Sequence, residues 1–148
     1  MRLPRDIAEV VIAHLAAAVP EEGCGLLAID DAGEVRHAYC LDNLDRSPVR
    51  FTVDPDGHFA ALRHAESNGW KVGGAFHSHP RSAAVPSRTD IARALDPEWV
   101  HLIVGLGGQT PQVRAWRIRD GEVTEEPLER AQIGSPRNQV SARPPVDT

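Results

Sequence analysis

Two histidines two residues apart, His77 and His79, have the types and spacing to do chemistry. An apolar run precedes them. Side chains two apart in a β-strand lie on the same face, so both imidazoles can converge on one point. Asp90 follows after a loop that contains two prolines and can add a carboxylate. Zinc accepts two neutral imidazoles and a carboxylate, and three protein ligands leave one coordination position open for water, as in catalytic zinc sites.

Each piece of this pattern also has a purely structural interpretation. Histidines near strand ends are often ordinary hydrogen-bonding side chains, and a short motif carries a risk of a false match. Ser87 and Asp90 have the spacing of a helix N-cap pair, in which the serine accepts from the first turn and the helix dipole favours the aspartate. Both interpretations of Asp90 can hold at once, because a helix N-terminus fixes the direction of a side chain three residues in.

The complete spacing resembles the metal-binding signature of the JAMM family, the JAB1/MPN/Mov34 metalloproteases. It reads His-Ser-His-Pro from residue 77, then six residues, then Ser87, two residues and Asp90. The resemblance implies that His77, His79 and Asp90 hold one catalytic Zn²⁺. It further implies that Ser87 helps to stabilise the oxyanion and that a glutamate on an earlier strand activates the water.

Glu22 is the glutamate that the resemblance selects. The segment Pro-x-Glu-x-Cys-Gly-Leu-Leu, residues 20–27, is similar to the stretch that carries the catalytic glutamate in bacterial JAMM proteins. Taken alone, a Glu-Glu pair after a helix is typical of solvated surface, and Glu21 keeps that interpretation as the exposed neighbour. Cys24 invites a nucleophile hypothesis, but no base is dedicated to it, and the sequence favours a small buried residue.

Length and charge narrow the possible classes of protein. A chain of 148 residues suffices for one domain with a real core. The net charge of −5 and the lack of a Lys/Arg run argue against nucleic acid or an anionic membrane as a partner. No secretory signal or apolar run of about 20 residues is present, so a cytoplasmic location is expected. In that reducing compartment Cys24 and Cys40 are expected to be free thiols.

The elements that must position these residues follow from hydrophobic periodicity and turn signals. Helices are predicted over 5–19, 55–68 and 87–95, the last with Ile91 and Leu95 facing inward. Strands are predicted within 21–29 and over 35–41, 49–53, 70–76, 98–106, 112–118 and 122–125. This order predicts an α+β domain with a mixed, curved sheet flanked by helices, which is also the JAMM/MPN (cytidine-deaminase-like) fold. The domain is expected to span 1–128, and 129–148 to form a disordered tail.

The remaining histidines receive structural interpretations. His14 is expected to be solvated or hydrogen-bonded, and His101, in an apolar strand, to be hydrogen-bonded in the core. His58 and His64 lie six residues apart on one predicted helix, do not share a face, and are interpreted as surface residues.

Up to about Leu128 the chain is most similar to small bacterial JAMM enzymes of the Mec+ type. Those enzymes release cysteine from the C-terminus of a ubiquitin-like sulfur-carrier protein, in cysteine biosynthesis. The likeness is strongest over 86–90 and 120–127, whereas Pro80 follows the general JAMM pattern and not that of some Mec+ members. The resemblance therefore implies hydrolysis of the bond after the Gly-Gly tail of such a carrier.

Two other functions remain open on the sequence. A deubiquitinase-like isopeptidase generally uses inserted segments to grip ubiquitin, and only a short predicted helix separates Asp90 from the next strand. A non-catalytic MPN binding module would not need the complete set of proposed site residues: Glu22, His77, His79, Ser87 and Asp90. Whether the chain is a monomer or a homodimer is left open.

Overall fold

The computed structural model describes residues 1–130, which form three helices and eight strands. The helices are α1 (Arg5–Ala18), α2 (Pro55–Ser67) and α3 (Arg88–Arg93). The strands are β1 (Arg2–Leu3), β2 (Cys24–Ile29), β3 (Val35–Leu41), β4 (Lys71–His79), β5 (Val100–Gly105), β6 (Gln112–Arg119), β7 (Glu122–Glu126) and β8 (Glu129–Arg130).

Six strands form one mixed sheet in the order β3-β2-β4-β5-β6-β7. The central pair, β4 and β5, is parallel, and the other neighbouring pairs of this sheet are antiparallel. A parallel pair needs a crossover connection, and the chain between β4 and β5 supplies it with the proline-containing loop and α3. The predicted α+β fold with a mixed sheet between helices is confirmed.

The two long helices cover opposite faces of the sheet. Leu27 and Phe76 pack in the cluster that contains Val11 and Leu15 of α1. Leu26 and Ala75, one residue away along the same strands, pack in the cluster that contains Ala61 and Ala65 of α2. Since side chains alternate along a strand, residues 77 and 79 share the α2 face with Ala75.

Two predicted features are wrong. Residues 49–53 do not form a strand, and Val53 makes only an isolated bridge with Asn43. The Asn43 side chain bonds the carbonyl of Arg50 and the amide of Thr52, so it holds the segment as a loop. Leu95 does not face inward but is 91% exposed, because α3 ends at Arg93 and the chain becomes extended.

The ends of the described chain pair with each other. Arg2 and Leu3 of β1 lie parallel to Glu129 and Arg130 of β8, a pairing that the sequence analysis did not include. The predicted tail begins with Glu129 and Arg130, and its remainder, 131–148, lies outside the described residues. No helix between residues 1 and 130 is both long and apolar enough to cross a membrane. The cytoplasmic location stays a prediction.

Candidate active site

The end of β4 brings two histidine side chains and one carboxylate to a single point. His77 Nε2 and His79 Nε2 lie 3.3 Å apart. Asp90 Oδ2 lies 3.2 Å from the first nitrogen and 3.0 Å from the second. All three side chains are at most 6% exposed. The structure thus brings together the three residues that the sequence predicted as metal ligands.

A helix start aims Asp90 at this point. Ser87 is the N-cap of α3: its hydroxyl oxygen accepts from the Asp90 amide at 3.1 Å, and its own amide donates to Asp90 Oδ2 at 2.9 Å. This reciprocal pair is the capping box expected as the structural interpretation. It leaves the hydroxyl hydrogen of Ser87 free to donate to another group. The N-cap and the cluster therefore use the same aspartate.

The donor set fits a divalent cation of the zinc type. For metal bonds of 2.0–2.1 Å the edge of a coordination tetrahedron is about 3.3 Å, close to the spacing of these three atoms. His79 Nδ1 lies 2.8 Å from the Ala83 carbonyl and donates to it, so Nε2 is the nitrogen that faces the cluster. Burial lowers the pKa of His77, so its imidazole is neutral, as a metal ligand must be.

Glu22 is held beside the two histidines by a backbone connection between β2 and β4. Ser78, whose side chain points away from the cluster, accepts from the Gly23 amide through Oγ at 2.9 Å. The Ser78 amide donates to the Gly23 carbonyl at 3.1 Å. One oxygen of Glu22 and one nitrogen of each histidine consequently lie within 4.8 Å of one another. The sequence analysis did not identify Ser78, because its partner lies on another strand.

The Glu22 carboxyl is buried, and one of its oxygens, Oε1, has no hydrogen-bond partner in the described chain. Burial, followed by the negative charge of Asp90, raises the pKa of Glu22 to about 8. A carboxyl with a raised pKa next to potential metal ligands can accept and return a proton near neutral pH.

The raised pKa predicts that the metal-free protein loses stability as the pH rises. Glu22 ionises near 4.5 when unfolded but at about 8 when folded, so the folded state holds the proton more tightly. This stabilisation is fully present below pH 4.5 and is lost as the pH approaches 8. After chelation, the melting temperature of the wild type should fall over this interval more than that of Glu22→Gln. Parallel curves for the two proteins would exclude a buried, protonated Glu22.

The loop between β3 and α2 closes one side of the site. Asn43 donates through Nδ2 to the Glu22 carbonyl at 2.9 Å and to the Arg50 carbonyl at 3.0 Å, so it ties this loop to the glutamate. Phe51 stacks on His77 with ring centres 4.6 Å apart. Sequence reasoning missed both residues. For Asn43, the sequence signal that could have identified it was an asparagine within the polar connection after β3.

The loop after β4 is anchored to β5 and β6, on the face of the sheet that carries His77. Ala84 is fully buried with Ile103 and Trp116. Its carbonyl accepts from Trp116 Nε1 at 2.8 Å, and its amide donates to the Gln112 side chain at 2.9 Å. These contacts fix the loop that connects the histidines to Asp90.

Cys24 is near the site but is not activated. It is buried, and burial with neighbouring carboxylates raises the pKa of its thiol to about 12, so the thiol stays protonated at neutral pH. The prediction of a small buried residue is confirmed. Neither Cys24 nor Cys40 forms a disulfide within the described chain, as expected.

The other histidines divide between confirmed and wrong predictions. His14 Nε2 lies 3.0 Å from the Cys24 carbonyl and is hydrogen-bonded as expected. His64 is exposed, as predicted, whereas His58 is half-buried, with its ring centre 6.0 Å from that of Trp99. The expectation of a hydrogen-bonded His101 is wrong: its Nε2 is buried without a partner among residues 1–130.

With this geometry, comparison with known proteins identifies the class. Residues 4–119 match the model of the prokaryotic homologs of the JAB domain. The chain belongs to this family, and the predicted JAMM membership is confirmed.

Individual relatives cover most of the chain. It is 30% identical over 125 residues to the CysO-cysteine peptidase of Mycobacterium tuberculosis, and the aligned region covers 83% of this chain and 86% of the relative. It is 36% identical over 115 residues to the desampylase of Haloferax volcanii, covering 74% and 83%. The solution structure of a Desulfitobacterium hafniense protein superimposes with a TM-score of 0.81 at 36% identity, over 88% of this chain and 92% of that one.

Proposed function

We propose that this protein is a zinc-dependent peptidase that hydrolyses the bond after the Gly-Gly tail of a ubiquitin-like sulfur-carrier protein and releases cysteine. The observation that carries the proposal is the approach of His77 Nε2, His79 Nε2 and Asp90 Oδ2 to within 3.0–3.3 Å of one another. The buried Glu22 lies beside them. This arrangement suits hydrolysis of a carbonyl compound assisted by a metal and a base.

His77, His79 and Asp90 would hold the zinc ion. When bound, zinc lowers the pKa of a water molecule and polarises the carbonyl of the scissile bond. A cation at this cluster also favours the ionised form of Glu22, because opposite charges a few ångströms apart stabilise each other. A bound cation would therefore keep Glu22 in the ionised form that can accept a proton.

Two further side chains complete the proposed reaction. Glu22 takes the proton of the attacking water and then delivers it to the nitrogen of the leaving amine. Ser87 donates its free hydroxyl hydrogen to the oxygen that becomes negatively charged. That hydroxyl is held in place because its oxygen already accepts from the Asp90 amide at 3.1 Å.

The choice of substrate is supported by the relatives. The name of the Mycobacterium tuberculosis relative describes removal of cysteine from CysO, and the chain spans 86% of that relative. The desampylase similarity supports a second candidate, an isopeptidase that acts on protein conjugates. The compact site favours the first, because α3 and a short connection are all that lie between Asp90 and β5.

The test uses carriers with a cysteine after Gly-Gly. Incubation with zinc-loaded enzyme should shorten the carrier by one cysteine, as measured by mass spectrometry. A Gly→Val change in the carrier tail should block cleavage while the carrier stays folded, because the glycines let the chain pass close to the site. Equal cleavage of both carriers, or preferred cleavage of ubiquitin chains, would overturn the proposal. Absence of zinc from the purified protein would favour a non-catalytic binding module.

A further inference from the structure

His77, His79 and Asp90 are called the metal-ligand cluster below. A cleft of about 480 Å³ begins at His77 and Asp90 and extends away from this cluster. The loop between β3 and α2 forms one wall, and the chain from α3 to β5 forms the other. Its lining includes the apolar side chains Leu26, Phe51, Val53, Ala75 and Trp99. The volume falls within the range of ligand-binding sites in proteins, and the lining suits an apolar group.

His101 lies in the lining of this cleft and has an unmet hydrogen-bonding group. It pairs with Ala75 across the parallel β4–β5 ladder, so its side chain lies on the same face of the sheet as His77. Its Nε2 is buried and has no partner in the described chain. Buried polar atoms in folded proteins are nearly always hydrogen-bonded, so one left unpaired beside a cleft calls for a partner from a bound molecule.

The order of the strands indicates which part of the substrate enters the cleft. Glu22 precedes β2, the histidine ligands lie on β4, and His101 lies on β5, on the opposite side of β4 from β2. Glu22 must deliver a proton to the leaving nitrogen, so the leaving group lies on the β2 side. The acyl part of the substrate must then extend across β4 towards β5 and the cleft.

The distance from the metal-ligand cluster to His101 indicates which residue of an extended substrate lies beside His101. His101 is level with Ala75, two residues from His77 along β4 and one strand across. At about 3.3 Å per residue and 4.8 Å between strands, the separation is roughly 8 Å. An extended tail covers this distance with its third residue from the scissile bond. If the last two residues are Gly-Gly, that third residue carries the first side chain.

We propose that the cleft selects an apolar residue immediately before the Gly-Gly of the substrate tail, with His101 Nε2 hydrogen-bonded to the main chain of that residue. This inference rests on the proposed function for the Gly-Gly sequence. Burial and then the nearby His77 lower the pKa of His101, so its ring is neutral at pH 7 and suits a peptide group better than a carboxylate. In this role His101 binds the substrate main chain and is not catalytic, whereas the apolar lining of the cleft determines the side-chain specificity.

The experiment measures binding, independently of turnover. Peptides ending in Leu-Gly-Gly, Gly-Gly-Gly and Asp-Gly-Gly are titrated into the full-length protein by calorimetry, with the tryptophan fluorescence change as a second readout because Trp99 lines the cleft. The leucine peptide should bind about tenfold more tightly than the other two, as burial of a large apolar side chain permits. His101→Leu should lose about tenfold of that affinity, and His101→Gln should recover part of it.

Two controls separate binding from folding. His101→Leu should melt no lower than the wild type, because it removes an unpaired buried nitrogen. His64→Leu, a change of an exposed histidine on α2, should bind all peptides as the wild type does. Equal affinity for the leucine and glycine peptides, or an unchanged affinity in His101→Leu, would overturn the inference. If the carriers are not cleaved but the leucine peptide still binds more tightly than the other two and His101→Leu weakens its binding, only the proposed function fails.

Discussion

Glu22→Gln is expected to keep its zinc and to lose at least about 10²–10⁴-fold in turnover, the usual contribution of a general base. Glutamine has nearly the same shape but cannot take a proton from water. It is also neutral, so it suits the buried position of Glu22 without a charge to desolvate. Elemental analysis of the purified variant and single-turnover cleavage of a carrier measure the two effects separately.

Glu21→Gln is the matched control for this experiment. Glu21 is the preceding residue; it is half-buried, not exposed as expected, and lies outside the metal-ligand cluster. Its change to glutamine should leave both zinc content and turnover close to those of the wild type. A Glu22→Gln protein that comes out free of zinc would mean that Glu22 is a ligand and not a base.

His77→Ala is expected to lose zinc and, with it, more than about 100-fold of the activity, since loss of a mere supporting contact to a ligand already costs about 10–100-fold. His77 Nε2 lies 3.3 Å from His79 Nε2 and 3.2 Å from Asp90 Oδ2. Its removal therefore leaves only two of the three proposed metal ligands. Zinc per chain, measured after dialysis, is the primary readout. Circular dichroism establishes that the variant is folded.

His64→Ala provides the control for a loss of one imidazole. His64 is exposed on α2, where its Nδ1 lies 2.7 Å from the Tyr39 hydroxyl, and this variant should retain zinc and activity. A His77→Ala protein with as much zinc as the wild type would contradict the assignment of the ligands. Chelation of the wild type should abolish hydrolysis, and added zinc should restore it.

Local patterns predicted most of the secondary structure because those patterns carry a direct physical signal. Helical periodicity placed the start of α1 at its observed residue and its end within one residue, and Asp54 with Pro55 marked the start of α2. The prediction over 49–53 was wrong because the Asn43 side chain, which lies outside that segment, bonds the Arg50 carbonyl and the Thr52 amide and holds them in a loop. The prediction that Leu95 faces inward was wrong because α3 ends at Arg93, an end that the apolar spacing did not indicate.

The sequence by itself determined the family and the five residues proposed for the chemistry, since the spacing of His77, His79, Ser87 and Asp90 and the segment 20–27 around Glu22 are local properties of the chain. Tertiary structure decided how close Glu22 lies to them, through the pairing of Gly23 with Ser78 across two strands. It also decided that Phe51 covers His77 and that His101 lies in the same cleft. These contacts join residues far apart in the chain, and their side-chain types occur as readily in loops and cores. Proximity, burial and the raised pKa of Glu22 arise only when the strands assemble.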